Sequence, residues 1–172
     1  FVERGIPIVG LEPSCLLTLR DEFPSLLPGD ESNALSQHAF LFEEFLAAEA
    51  AKGQLQLNLK ALPAKRALLH GHCHQKAFAV MSSVQKVLSM VPELEVEVVE
   101  SSCCGMAGSF GYDAKYFDTS MKMGELSLLP AVREVGADCL IVADGTSCRQ
   151  QIQTGAGREA IHVARVLEMA LA

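Results

Sequence analysis

Short apolar runs recur along the chain and are separated by longer amphipathic segments. Four of these runs are rich in β-branched and other apolar residues, which is typical of buried strands: residues 5–10, 67–72, 96–100 and 139–144. Residues 54–59 alternate between polar and apolar side chains, and this alternation predicts an exposed strand at the edge of a sheet. The pattern therefore predicts four or five strands.

The segments between the predicted strands have the apolar spacing of helices. Helices are predicted over residues 12–22, 31–51, 75–90, 112–135 (interrupted near Pro130), 146–154 and 159–171. Because strands alternate with helices down the chain, we predict an α/β fold. We expect a mostly parallel sheet of about four or five strands with helices on both faces, because crossover helices cover such sheets on both sides.

Composition and charge argue against a disordered, a nucleic-acid-binding or a membrane-spanning chain. The chain has 172 residues, 49% of them hydrophobic and 20% charged, which favours one folded domain over a disordered segment. Its formal net charge is −7, whereas a nucleic-acid-binding domain is expected to be basic. We expect no transmembrane segment, because no apolar run approaches the roughly 18–20 residues that span a bilayer. The chain begins at Phe1 just before a strand-like run and shows no signal peptide, so we expect a fragment of a longer protein.

The six cysteines are too sparse for a disulfide scaffold but numerous for an intracellular enzyme. Cys139 lies inside a predicted strand and is expected in the core. The other five follow predicted strands, near helix starts: Cys15, Cys73, Cys103, Cys104 and Cys148. The loops beyond the carboxyl ends of parallel strands are where sites form, and helix starts favour thiolates. The pattern therefore indicates candidate ligands on one side of a sheet.

Two local motifs sharpen this prediction. In His72-Cys73-His74 a thiolate is flanked by imidazoles, which suits zinc or an iron–sulfur cluster, although a buried cysteine beside two helix-capping histidines gives the same pattern. Residues 103–111 contain two adjacent cysteines and three glycines, so backbone N–H groups can turn towards an anionic cluster. Adjacent cysteines make a poor disulfide but converge well on a soft metal.

The motifs resemble those of a known family. The H-C-H-Q at 72–75, the C-C-G at 103–105 followed by M-A-G-S-F-G-Y, and the G-T-S-C-R-Q-Q-I at 145–152 followed by I-H-V-A-R-V-L resemble the cysteine-rich CCG domain. That domain occurs in one of the subunits of heterodisulfide reductase, in the iron–sulfur subunit of glycolate oxidase and in lactate-utilisation proteins. It also forms the C-terminal part of FAD-linked oxidoreductases of D-2-hydroxy acids such as D-lactate or D-2-hydroxyglutarate.

The resemblance implies a domain organisation and a set of ligands. CCG domains consist of two similar halves, so residues 1–60 are expected to end a first half-repeat and residues 61–172 to form a complete second one. A [4Fe–4S] cluster is then held by Cys73, Cys103, Cys104 and Cys148, with Cys15 as an optional fifth ligand or neighbour. The resemblance also implies that neighbouring groups tune this cluster through hydrogen bonds: His72, His74, Gly105 and Gly108. Gln151 stands where some relatives have a further cysteine, which argues against a non-cubane cluster.

The resemblance also implies a function. We expect an electron-transfer domain of a multidomain oxidoreductase, in which FAD in another domain takes a hydride from a 2-hydroxy acid. The expected partners are upstream FAD and ferredoxin-like domains of the same chain and an acceptor such as a quinone. We expect a cytoplasmic protein, which can be peripheral to the inner face of the membrane. The fragment alone is expected to be inactive, to have no catalytic residue of its own and to lose its cluster readily.

Three alternatives remain open at the level of sequence. A structural or catalytic zinc site could use Cys73, Cys103 and Cys104 with His72 or His74, although the 29 residues between Cys73 and Cys103 exceed compact zinc-finger spacings. A metal-free thiol redox protein would need a reactive cysteine at a helix start, but the chain has no C-x-x-C motif. In a purely structural, partner-binding domain the cysteines would be buried and inert.

Overall fold

The predicted strand runs pair in parallel in a computed structural model of the chain, which describes residues 1–101 and 103–172. The chain divides into two compact units, Phe1–Gln56 and Leu57–Ala172. Among the described residues the first unit has a two-stranded sheet and the second a three-stranded sheet. The strands are parallel and flanked by helices, so the predicted α/β class is confirmed, with five strands divided between two sheets.

The first unit pairs two short strands that are separated by helices. It contains a 3₁₀ helix (Val2–Arg4), β1 (Ile8–Gly10), α1 (Pro13–Leu17), α2 (Glu22–Leu26), α3 (Asp30–His38), β2 (Ala39–Leu41) and α4 (Phe42–Ala51). β1 and β2 are parallel, with Ile8 opposite Ala39. Pro13 begins α1, a position where the N–H that proline lacks would have no partner within the helix.

Strand β2 departs from the prediction. The apolar spacing of residues 31–51 predicts one helix, but the structure has α3, β2 and α4 there. Ala39 and Leu41 are almost fully buried, and the backbone of β2 completes the sheet with β1. Tertiary pairing therefore overrides the local helical periodicity, as it often does for segments of marginal propensity.

The second unit carries the three-stranded sheet. It contains β3 (Arg66–His70), α5 (Cys73–Ala77), α6 (Met81–Leu88), β4 (Glu95–Val98), a 3₁₀ helix (Phe110–Tyr112), α7 (Phe117–Gly124), α8 (Leu128–Glu134), β5 (Cys139–Ala143), α9 (Thr146–Ala156) and α10 (Val163–Ala170). β3 is central, between β4 and β5, and Leu69 pairs with both Val98 and Val142. The carboxyl ends of the three strands therefore lie side by side. No helix in the described part of the chain combines the length and the apolar character that crossing a membrane requires.

Other segments also differ from the sequence prediction. The helix predicted over residues 12–22 ends at Leu17, and the helix predicted over residues 112–135 breaks between α7 and α8, so Pro130 lies inside α8 and not at the break.

Residues 54–59 form no strand, and only a single antiparallel bridge joins Leu59 to Leu171. The predicted helix over residues 75–90 is two helices, α5 and α6, separated by Ala79 with a φ of 55°. A left-handed residue cannot continue a right-handed helix, so the chain changes direction there.

The core of the second unit reaches up to the cysteine-bearing loops. One cluster of buried residues joins Leu68 and Ile141 of the sheet to Ile152 of α9, and it also contains Cys104, Cys139 and Cys148. Cys139 is buried within β5, which confirms its predicted place in the core. Its thiol has a raised pKa because burial disfavours the thiolate, so it is suited to packing rather than to reaction.

Candidate functional site

Four predicted ligand cysteines lie at the carboxyl edge of the sheet of the second unit. β3 ends at His70, and Cys73 begins α5 three residues later. Cys103 and Cys104 lie in the segment that follows β4, and Cys148 lies in the first turn of α9, after β5. Parallel strands bring their carboxyl ends to one edge, and the loops beyond that edge are where sites form in such folds.

These cysteines form a continuous set of contacts, which we call the thiol cluster: Cys73, Cys103, Cys104 and Cys148. The thiols interact in sequence, Cys73 with Cys103, Cys103 with Cys104, and Cys104 with Cys148. Cys104 and Cys148 are 3% and 0% exposed, whereas Cys73 and Cys103 are half-buried. The thiol cluster therefore runs from the core towards the surface.

Hydrogen bonds divide the thiol cluster into acceptors and donors. The pKa of Cys103 is lowered, first by the hydrogen bond from Cys104, then by that from Cys73. The pKa of Cys148 is lowered to about 5, chiefly by the hydrogen bond from Cys104. Against the effect of burial, a hydrogen bond with His70 and the nearby His72 imidazole lower it further. The pKa values of Cys73 and Cys104 are raised, chiefly because their thiols donate to Cys103, and further by burial. The arrangement favours two thiolates and two thiols at neutral pH.

The turn after the cysteine pair supplies backbone N–H groups to the cluster. The N–H of Gly105 donates to Cys103 Sγ at 3.3 Å, and the N–H of Ala107 also stabilises this thiolate. Gly105, Ala107 and Gly108 have φ values of 99°, 41° and 67°. A Cβ at Gly105 would collide with the backbone carbonyl oxygen of Ser120, so only glycine fits there. Gly108 contributes a left-handed turn residue, and its predicted effect on a bound cluster stays a prediction.

The predicted residues His72 and His74 lie at the start of α5. Nδ1 of His72 accepts the backbone N–H of His74 at 3.2 Å, and the two rings stack with centroids 5.2 Å apart. His72 is also close to Cys148, because a Cβ at Gly145 would touch both side chains. Nδ1 of His74 is buried and has no hydrogen-bond partner among the described residues. Both imidazoles therefore lie beside the site, and their predicted role in tuning a cluster stays a prediction.

Two polar residues at the thiol cluster were missed by the sequence analysis. His70 is 1% exposed, and one of its ring nitrogens lies within 4.8 Å of the sulfurs of Cys104 and Cys148. The ammonium of Lys76 donates to the carbonyl and hydroxyl oxygens of Ser101. Burial lowers the pKa of Lys76, and the neighbouring cysteines oppose that effect. The available signal for His70 was a histidine that ends a strongly apolar strand, directly before the His72-Cys73-His74 motif.

A buried polar network fixes the loops that carry the thiols. Asp144, directly after β5, accepts the side-chain N–H of Gln75 at 2.7 Å through one oxygen and the backbone N–H of Val163 at 3.1 Å through the other. Gln75 in turn accepts the backbone N–H of His72 at 2.9 Å. The carboxylate therefore ties the end of β5 to the starts of α5 and α10. A buried network of this kind holds its elements in one arrangement because each lost partner leaves an unsatisfied polar group.

Gln151 lies one turn after Cys148 in α9, at the position where the resemblance would place a further cysteine. Its side chain is buried, and its amide donates to the carbonyl oxygen of Ser120 at 3.0 Å and to the hydroxyl at 3.1 Å. These bonds join α9 to α7 behind the Gly105 turn. The residue therefore has a packing role, and it offers no sulfur ligand.

Cys15 belongs to the first unit. It lies in α1, and its thiol is exposed. Its predicted role as a fifth ligand or a neighbour of the cluster stays a prediction.

Comparison with known proteins places the thiol cluster in a family. The model of the cysteine-rich domain named CCG matches residues 67–153, a range that contains Cys73, Cys103, Cys104 and Cys148. The match covers half of the chain and includes the three strands of the second unit except Arg66, the first residue of β3. No solved structure shows a significant match to the chain.

Two kinds of dehydrogenase are similar to the chain. It is 33% identical over 169 residues to one of the subunits of the anaerobic glycerol-3-phosphate dehydrogenase of Escherichia coli (strain K12), covering 98% of this chain and 41% of that protein. It is 30% identical over 165 residues to the D-2-hydroxyglutarate dehydrogenase of the same strain, covering 95% of this chain and 15% of that protein. The chain therefore spans less than half the length of these relatives, and by the family match it belongs to the CCG cysteine-rich domain family.

Proposed function

We propose that the second unit binds an iron–sulfur cluster of the [4Fe–4S] type through Cys73, Cys103, Cys104 and Cys148, and that it transfers electrons within a larger oxidoreductase. The observation that carries the proposal is the contact among four thiols that come from three different loops of one sheet edge. Cysteine thiolates are the usual protein ligands of such clusters, and four of them are the usual number.

The surroundings of the thiol cluster fit this group. Two thiols already favour the thiolate form, and binding requires only that the other two release their protons. The N–H groups of Gly105 and Ala107 face the Cys103 sulfur, and the Lys76 cation lies close enough to interact with all four thiols. Both features stabilise negative charge, which an iron–sulfur centre with four thiolates carries. One-electron chemistry would come from the bound group, and the four cysteines would hold it while backbone N–H groups donate hydrogen bonds to sulfur.

The relatives suggest the setting of this domain. Both kinds of relative are named as dehydrogenases and are longer than this chain. We extend the proposal to a larger enzyme in which FAD in another domain oxidises a 2-hydroxy acid, with a ferredoxin-like domain upstream and a quinone as acceptor. In this proposal residues 1–60 end a first half-repeat and residues 61–172 form the second, Cys15 neighbours the cluster, and the enzyme is cytoplasmic, at or near the inner face of the membrane. The isolated chain would not oxidise the substrate.

Zinc is the second candidate. One ring nitrogen of His70 and the sulfurs of Cys104 and Cys148 lie within 4.8 Å of one another, and mixed nitrogen and sulfur donors are typical of zinc sites. A zinc site would carry no electrons, because zinc does not change its oxidation state. The two candidates therefore differ in metal content, in colour and in redox activity.

Metal analysis of matched cysteine variants tests the proposal. The chain, produced without oxygen and reconstituted with iron and sulfide, should be brown, contain about four iron and four sulfide ions, and titrate as a one-electron couple. Cys104→Ser should lose the iron. Cys139→Ser is the matched control, because Cys139 is equally buried in the same core but lies apart from the thiol contacts, and it should keep the iron. A colourless protein with one zinc ion, or a Cys104→Ser variant with normal iron content, would contradict the proposal.

A further inference from the structure

We infer that Lys76 raises the reduction potential of the group bound at the thiol cluster, because its ammonium stabilises the reduced, more negative form of that group. The inference rests on the proposed function, since it concerns an iron–sulfur centre at this site. It adds the residue that controls how readily the centre accepts an electron. Lys76 would act through its charge and its position, and it would not be a ligand.

The side chain of Lys76 is held on the side of α5 that bears the first thiol. Lys76 follows Cys73 by three positions in α5, and residues with this spacing are neighbours on one face of a helix. Lys76 is half-buried, and a Cβ at Gly71 would lie only 3.2 Å from its Cε. The stem therefore packs against the loop between β3 and α5.

The ammonium is anchored to the segment that leads to the cysteine pair. It donates to the backbone carbonyl oxygen of Ser101 and, at 3.3 Å, to the hydroxyl oxygen of the same residue. Ser101 lies two positions before Cys103, and its hydroxyl oxygen is also 2.9 Å from Nδ1 of His70. These contacts hold the positive charge where two of the thiol-bearing loops meet.

The charge of Lys76 acts on the whole thiol cluster. Burial lowers the pKa of Lys76, and electrostatic interaction with Cys73, Cys148, Cys103 and Cys104 opposes that effect. The interaction is mutual, so the ammonium stabilises negative charge on the sulfurs, and that negative charge favours the ammonium form.

Reduction increases the negative charge that Lys76 faces. An iron–sulfur centre held by four thiolates is anionic, and one electron from a donor such as dithionite adds one further negative charge. A nearby cation therefore stabilises the reduced form more than the oxidised form, which raises the reduction potential. The effect is larger at a partly buried site than at the surface, where water and salt screen the charges.

Potentiometric titration of the chain reconstituted with iron and sulfide tests the inference. In Lys76→Met the ratio of reduced to oxidised protein at a fixed potential should fall about tenfold, which is about 59 mV for a one-electron couple. Lys76→Arg keeps the charge and should recover most of the shift. Lys86→Met is the matched control, because Lys86 is an exposed lysine of α6, and it should change the ratio less than about twofold.

A second neutral variant separates charge from anchoring. Lys76→Gln has an amide that can still donate to an oxygen of Ser101 but carries no charge, so it should show the same fall as Lys76→Met. It also replaces Lys76→Met if that variant does not fold, which circular dichroism checks.

The outcomes separate this inference from the proposed function. An unchanged potential in the neutral variants, or an equal shift in Lys76→Arg or Lys86→Met, would overturn the role of Lys76 and leave the proposed function intact. If the wild type forms no centre, the proposed function fails. In that case, or if both neutral variants lose the centre, Co²⁺ titration of the metal-free chain tests the same charge. Lys76→Gln should then bind Co²⁺ at least about tenfold more weakly than the wild type and than Lys76→Arg. Unchanged affinity, or no Co²⁺ binding by the wild type, would overturn the inference.

Discussion

Asp144 joins the end of β5 to the starts of α5 and α10, so its removal gives a quantitative test of the structure. The residue is 1% exposed, and its two oxygens accept hydrogen bonds from Gln75 and Val163. Both donor groups belong to fully buried residues. Asp144→Ala would therefore leave two buried N–H groups without an acceptor.

The size of the effect follows from these two bonds. An unsatisfied buried donor costs about 1–3 kcal/mol, so two of them destabilise the fold by about 2–6 kcal/mol. Removal of a buried charge offsets part of this, so we expect a loss of about 2–4 kcal/mol in the free energy of unfolding. Asp144→Asn keeps one acceptor oxygen and should lose about half as much. Asp113→Ala is the control, because its carboxylate is exposed and accepts a local N–H from Lys115, and it should lose at most about 1 kcal/mol.

Urea unfolding of the reduced, metal-free chain measures these differences. The midpoint should fall for Asp144→Ala without a change in the slope, because the same surface is exposed on unfolding. Iron retention after reconstitution should fall as well, since the carboxylate fixes the loops on both sides of Cys73 and Cys148. If Asp144→Ala and Asp113→Ala were equally stable, the buried network would not hold the loops and the reasoning would be refuted.

Three further predictions concern the Gly105 turn, the thiolates of the site and the contacts of Arg158 with the start of β5. Gly105→Ala should lower the free energy of unfolding by about 2–4 kcal/mol, because its Cβ would collide with the Ser120 backbone. Gly108→Ala should lower it by only about 1 kcal/mol, because there is open space around its Cβ. Equal losses for the two variants in urea unfolding would contradict this prediction. In the reduced, metal-free chain, ultraviolet absorbance should show about two thiolates at pH 7, and Cys103→Ser and Cys148→Ser should each remove one. The Cys148 thiolate should persist down to about pH 5, since its pKa is lowered, and protonation near pH 9 in both would contradict the hydrogen-bond pattern. Arg158→Ala should lower thermal stability by about 1–3 kcal/mol, because the guanidinium donates to three backbone carbonyls before and within β5, and Arg158→Lys should recover only part of the loss.

The local pattern of apolar residues was sufficient to predict the buried strand β5. The run at residues 139–144 predicted β5, and the position of Cys139 within it predicted its burial. The same pattern did not predict β2, because its residues have the apolar spacing of a helix but pair with β1. The strand predicted over residues 54–59 did not form either, apart from one bridge. For β2 the deciding interaction is the pairing with β1, a distant segment that local periodicity does not encode.

The order of residues along the chain was enough to predict the class of the fold, the family and the candidate sulfur ligands. Strand–helix alternation and the position of each cysteine after a strand are properties of neighbouring residues, so the sequence shows them directly. Which side chains come into contact depends on how distant segments pack. The parallel order β4–β3–β5 brings Cys73, Cys104 and Cys148 into one set of contacts and aligns the end of β3 with them. Contact across strands therefore revealed that the His70 imidazole lies beside the thiols of Cys104 and Cys148. These cysteines are 34 and 78 positions away in the sequence, so no local pattern shows the contact.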